Sequence, residues 1–211
     1  MLNFRKKIRV LLRKNFDKKN KLKLNNKDFT LLCNNCTGGV IYNSLGLKFN
    51  SPTINEYMSA KDFIKFLNNL DYYLSLNPIY IYILDDVKYP VAQLGDLTIY
   101  CVHYKTFNEF YEKWNERKKR VNKDNLFIIM TERDGCEYED IVEFDKLPYE
   151  NKVIFVHKEM PEISSSYYIP NTKEIVNGIE VTKPLTNYIG KFSGKRYIDL
   201  FDYVNFFNSR K

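Results

Sequence analysis

The chain has 211 residues and a formal net charge of +7, with 44% of its residues hydrophobic and 16% aromatic. That apolar content can offset the conformational entropy lost on folding, which excludes a disordered chain, and the length suits one domain better than two. Four cysteines, Cys33, Cys36, Cys101 and Cys136, are too few and too scattered for a disulfide scaffold, and no stretch approaches the roughly 18 consecutive apolar residues of a membrane span.

Much of the positive charge lies in residues 1–27, where eleven cations from Arg5 to Lys27 face only Asp17. Phe4, Ile8, Leu11 and Leu12 recur among them at helical spacing, so residues 1–27 read as a basic amphipathic arm ahead of a single α/β domain, 28–211. Three uses of the arm stay open: an anionic membrane surface reached through residues 1–24, packing on the domain, and nucleic acid, for which no specific motif is present. Deletion of residues 1–24 is expected to leave the fold intact. The amino terminus lacks the apolar core and cleavage site of a signal peptide, so the expected location is cytoplasmic, at the inner face of the membrane if the arm binds lipid.

Asp28 to Cys33 is an apolar run that stops in Asn34-Asn35-Cys36-Thr37-Gly38-Gly39, the pattern of a strand ending in a turn. Ser59 and Asp62 cap a helix running to about Leu70, and Ile79 to Leu84 reads as a second buried strand followed by Asp85-Asp86. Leu97 to Val102 delivers His103, and Thr106 with Glu109 caps a helix carrying Phe107, Phe110, Tyr111, Trp114 and Val121 on one face. Its Arg117-Lys118-Lys119-Arg120 end is a solvated helix terminus or a phosphate grip. Leu126 to Met130 and Val153 to Val156 are continuous apolar runs of the kind covered on both faces, and Tyr197 to Phe207 makes a closing helix. The alternation predicts an α/β fold with a mainly parallel central sheet and helices on both faces.

In such sheets ligands lie beyond the carboxyl ends of the strands, so the residues just after each run are the candidates. Cys36 stands among polar and glycine residues where free amides can lower a thiol pKa, which makes it the nucleophile candidate; Cys33 falls inside the apolar run, and a zinc reading of Cys33-x-x-Cys36 lacks a second ligand pair. His103 is the expected base, with His157 as the alternative, and Asp134 can orient a base or merely form a turn before Gly135. Asn34, Asn35, Gly38, Gly39, Tyr104, Lys105, Arg133 and His157 are expected to meet substrate. No resident metal is expected at this thiol site. A rival reading uses Asp85, Asp86 or Asp134 to hold a divalent cation against a nucleotide-sugar.

Asn34-Asn35-Cys36-x-Gly-Gly, Asn50-Ser51-Pro52-Thr53, Tyr89-Pro90, His103-Tyr104, Lys113-Trp114 with Arg117 and Arg120, and Thr131-x-Arg133-Asp134-Gly135-Cys136 occur in one order from about residue 28 onward. Together they resemble the bacterial family known as domain of unknown function 1919. Members often carry the label exopolysaccharide biosynthesis, and the strand followed by Asn-Cys is similar to the opening of capsule-biosynthesis acyltransferases suspected of using Cys and His. The resemblance implies a transferase of surface-polysaccharide assembly in which Cys36 attacks an acyl donor such as an acyl-CoA, His103 accepts the proton, and the amides of Gly38 and Gly39 hold the oxyanion. The acceptor is a glycan or activated sugar. The alternatives are the metal-dependent glycosyl or phosphoryl transferase and a non-catalytic module that binds a glycan or a partner.

Overall fold

A computed structural model of the chain describes residues 2–81 and 88–209. The chain begins with α1 (Leu2–Lys23), β1 (Thr30–Cys33), α2 (Thr37–Leu45), α3 (Ala60–Asn68) and α4 (Leu70–Ser75). β2 (Ile79–Ile81), β3 (Val91–Leu94), β4 (Leu97–Tyr100), α5 (Phe107–Lys118), β5 (Leu126–Thr131) and α6 (Tyr138–Lys146) follow. It closes with β6 (Lys152–Val156), β7 (Ser166–Tyr168), β8 (Lys173–Val176), β9 (Ile179–Thr182) and α7 (Tyr203–Asn208).

The continuous apolar runs form the main sheet. β1, β5, β6 and β7 lie side by side in that order, all parallel, with Cys33 opposite Ile129 and Thr131 opposite Phe155. Successive side chains of a strand point to opposite faces, and both faces are covered here. Leu32, Ile128, Met130, Ile154 and Val156 join the core built with α3, α5 and α6. Leu31, Cys33, Phe127, Ile129, Val153 and Phe155 join the one built with α2 and α7. The fold is thus α/β, with a parallel sheet flanked by helices. The helix starts fall where the caps predict: Ser59 Oγ accepts from Asp62 N at 3.1 Å and Thr106 Oγ1 from Glu109 N at 3.2 Å.

Two expectations need correction. Ile79–Ile81 and Leu97–Tyr100 do not enter the parallel sheet; with β3 they form a separate antiparallel sheet of order β2-β3-β4. The cause is the tight link between β3 and β4, where Gly95 at φ +63° turns the chain straight back, whereas a parallel neighbour needs a long crossover. The closing helix divides into a 3-10 turn, Tyr197–Leu200, and α7, because Asp202 caps a fresh start by accepting from Asn205 N at 3.0 Å. Of the uses left open for the basic arm, packing on the domain is seen. Arg13, 7% exposed, pairs with Asp17 and Asp199 and donates to Ser44 Oγ at 2.6 Å, pinning α1 on α2. Among the described residues no helix is long and apolar enough to cross a membrane. Asp85 and Asp86, and with them the carboxylate-pair reading, lie outside the described residues.

Candidate active site

Adjacent parallel strands deliver Glu132 and His157 side by side. β5 ends at Thr131 and β6 at Val156, so the next residues of each leave the sheet together. Glu132 Oε2 accepts from the His157 backbone N–H at 3.0 Å, from Thr182 Oγ1 at 3.2 Å, and faces His157 Nδ1 at 2.7 Å. An oxygen that receives those donors makes Nδ1 the donor too, which orients the ring and leaves the Nε2 lone pair of the neutral imidazole as the acceptor. His157 is buried, and its Nε2 has no hydrogen-bond partner. Glu180 Oε2 stands 3.5 Å from Nε2, close enough for ion pairing but without hydrogen-bond geometry. The Lys173 ammonium bonded to Glu180 holds that carboxyl below the usual carboxylate range. A proton taken up at Nε2 therefore meets a negative charge.

His157 lines a cavity of 580 Å³ that is also lined by Arg133, Asp134, Tyr138, Lys158 and Glu180. One wall is the β8–β9 hairpin, turned by Asn177 at φ +52° and Gly178 at φ +80°. Arg133 ties the hairpin to the sheet by donating to Glu174 Oε2 at 2.8 Å and Thr182 O at 3.0 Å.

A second cavity, of 290 Å³, lies across Arg133 and Asp134, which line both. Cys36, His103 and Asp134 line this smaller cavity together. His103 arrives there by a route the sequence reading did not foresee. It follows β4 of the antiparallel sheet, and its N–H donates to Asn55 O at 3.2 Å. Among the described residues no hydrogen bond joins Cys36 to His103. The Cys36 thiol, expected to be acidic, is instead pushed up to about 11, by burial first and then by the charges of Glu56 and Asp134. The amides at the start of α2 do not outweigh that desolvation. Asp134, at φ +59° before Gly135 at φ +82°, does form a turn, and burial raises its carboxyl against the pull of Arg133.

The remaining candidates divide between lining and scaffold. Asn35 lines the smaller cavity, and its Oδ1 accepts from Thr37 N at 3.0 Å. Asn34 is fully buried and accepts from Thr131 N at 3.2 Å, joining β1 to β5. Gly38 and Gly39 sit buried in the first turn of α2, where a Cβ on Gly38 would meet Cys33 Cβ at 2.9 Å, so Gly38 lets the helix lie close to β1, and a Cβ on Gly39 would meet Asn55 Oδ1 at 3.1 Å. Tyr104 is buried, donating to Ile54 O and accepting from Arg117 Nη1, both at 2.7 Å. Lys105 is exposed and lines neither cavity. Arg117 is a buried strut rather than a solvated end. Glu132 and Glu180 went unread in the sequence, although Glu132 stands inside the Thr131-to-Cys136 motif directly after an apolar run. Among the described residues no group of three His, Cys, Asp or Glu side chains is arranged to hold a metal ion.

A Haemophilus influenzae protein named only "Uncharacterized protein" is 43% identical over 189 residues, covering 88% of this chain and 87% of the relative. The family described as Domain of unknown function (DUF1919) matches residues 7–208, which takes in both cavities and most of α1. The chain belongs to the DUF1919 family.

Proposed function

We propose that this protein transfers an acyl group to a hydroxyl of a glycan in surface-polysaccharide assembly, with His157 as the base that takes the acceptor's proton. The observation that carries this reading is the 2.7 Å contact of His157 Nδ1 with Glu132, which leaves Nε2 without a hydrogen-bond partner, 3.5 Å from Glu180 Oε2, in a residue that lines the 580 Å³ cavity. A histidine oriented by a carboxylate is the common arrangement for general-base work on a hydroxyl. The lining suits a sugar acceptor, since Glu132, Asp134, Glu137 and Glu180 can accept from hydroxyls. Tyr138, 47% exposed, offers a ring face for stacking. The acceptor oxygen attacks the carbonyl of a thioester donor such as an acyl-CoA, an ester C–O bond forms, and the C–S bond breaks. The proton passes from the hydroxyl to Nε2 and then to the departing thiolate. In this reading the protein works in the cytoplasm, at the inner face of the membrane.

One observation favours a second route: Cys36, His103 and Asp134 line a shared cavity. A thiol raised to about 11 is not a standing thiolate at neutral pH, so that route requires His103 to remove the proton as Cys36 attacks. Thiol release from acetyl-CoA with an oligosaccharide acceptor distinguishes the two. His157→Gln should lower the rate about 10²–10⁴-fold with Cys36→Ser nearly unchanged. Full activity in His157→Gln with loss in Cys36→Ser, together with an acetylated chain by intact mass, would move the chemistry to Cys36. No thiol release with any acyl-CoA tried, by a folded chain, would favour the binding-module reading.

A further inference from the structure

We infer that the outward face of α1 is a docking surface for an anionic lipid bilayer. The helix is 22 residues long and its two faces are used differently. One face is committed to the domain. Arg5 lies over the Phe192 ring at 5.3 Å, Arg9 over the Tyr188 ring at 4.7 Å, and Arg9 Nη2 donates to Lys191 O at 3.1 Å. Arg13 is buried on Asp199, and Asn20 Nδ2 donates to Tyr203 Oη at 2.8 Å. A Cβ on Gly194 would stand 2.6 Å from the Arg13 backbone nitrogen, so the chain from 188 to 199 is pressed against this face.

The opposite face is free. At about 100° per residue, Phe4, Leu11 and Leu22 fall within roughly 20° of one line, on the side away from Arg9. They are 67%, 60% and 78% exposed. Lys7, Lys14 and Lys18, all exposed, run beside them. The one acidic residue of α1, Asp17, turns inward to Arg13 and so does not offset these cations. An occupant of this face must accept positive charge and large apolar side chains together. A bilayer with anionic headgroups does both: the lysines meet phosphates while Phe4, Leu11 and Leu22 enter the boundary of the acyl region. A nucleic acid would satisfy the lysines and leave the apolar line in water. The aim of the arginines at the domain separates this surface from the packing role of the same helix, and the inference stands on α1 alone, independent of the chemistry at His157.

The test is sedimentation of the full chain with vesicles of phosphatidylcholine alone or with 30% phosphatidylglycerol. We expect at least tenfold tighter binding to the anionic vesicles. The triple variant Lys7→Glu, Lys14→Glu, Lys18→Glu and the single variant Leu11→Asp should each lose at least tenfold, with unchanged circular dichroism and Tm because all four positions are exposed. Equal binding to the two vesicle types, or binding indifferent to both variants, overturns the inference. Tighter binding to a duplex oligonucleotide than to the anionic vesicles overturns it in favour of nucleic acid.

Discussion

At Cys36 two physical effects compete, and burial wins. The residue precedes the first turn of α2, where helix amides favour an anion, yet desolvation with the nearby carboxyls of Glu56 and Asp134 carries the thiol up to about 11. At pH 7 the thiolate fraction is on the order of one part in ten thousand. Alkylation of Cys36 should therefore be slow at neutral pH and rise about tenfold per pH unit toward pH 11; fast labelling at pH 6 would contradict this. Behind Cys36, Glu56 is 1% exposed with both carboxyl oxygens unpaired, and burial pushes its pKa well above the ordinary value, opposed by Arg117. The folded state keeps that proton at pH values where the unfolded state has released it, so stability falls as pH rises above about 4.5. Glu56→Gln should raise stability at pH 7 and flatten the decline as pH rises above about 4.5. Urea unfolding across that range checks it, and equal slopes for the two chains would refute it.

At the scale of elements, α1 and the β8–β9 hairpin are attached by buried or bridging arginines. Asp199 is fully shielded and its guanidinium partner is Arg13, so Arg13→Ala strands a buried carboxylate and should cost about 3–5 kcal/mol. Adding Asp199→Asn should recover much of the loss, because the stranded charge is gone; urea midpoints of the single and double variants measure it. For the same reason removal of residues 1–24 should lower stability. The elements missed in the sequence were not all silent there. Asn177-Gly178 and Gly95-Asp96 are tight-hairpin signals, and both do turn hairpins, with φ positive at Asn177, Gly178 and Gly95.

Across the whole molecule, the small antiparallel sheet shares its core with the parallel one. Ala92, Leu94, Leu97 and Ile99 of the former pack in one cluster with Leu32, Ile128 and Ile154 of the latter, and Trp114 of α5 is fully buried there. Neither sheet can lose its partner without exposing that common surface, so unfolding should be a single cooperative transition. Trp114 is the chain's one tryptophan, and its fluorescence should give the same urea midpoint as far-ultraviolet circular dichroism. Separated midpoints would show that the two sheets unfold as independent units.

Local patterning was enough for the parallel strands β1, β5 and β6, for the helix starts at Ser59 and Thr106, and for the gathering of Cys36 and Asp134 beyond the strand ends. Each depends on residues close in sequence, and a strand covered on both faces announces itself as an unbroken apolar run. The pairing of Glu132 with His157 depends instead on register across 25 residues, with Thr131 held opposite Phe155. His103 reaches the cavity only because β4 turns back on β3 and bridges Tyr57 through Tyr100. The acidity of Cys36 was decided by what covers it, a quantity no spacing contains. Strand runs and caps are properties of the chain, whereas register, desolvation and the meeting of side chains from separate strands arise only when the core closes.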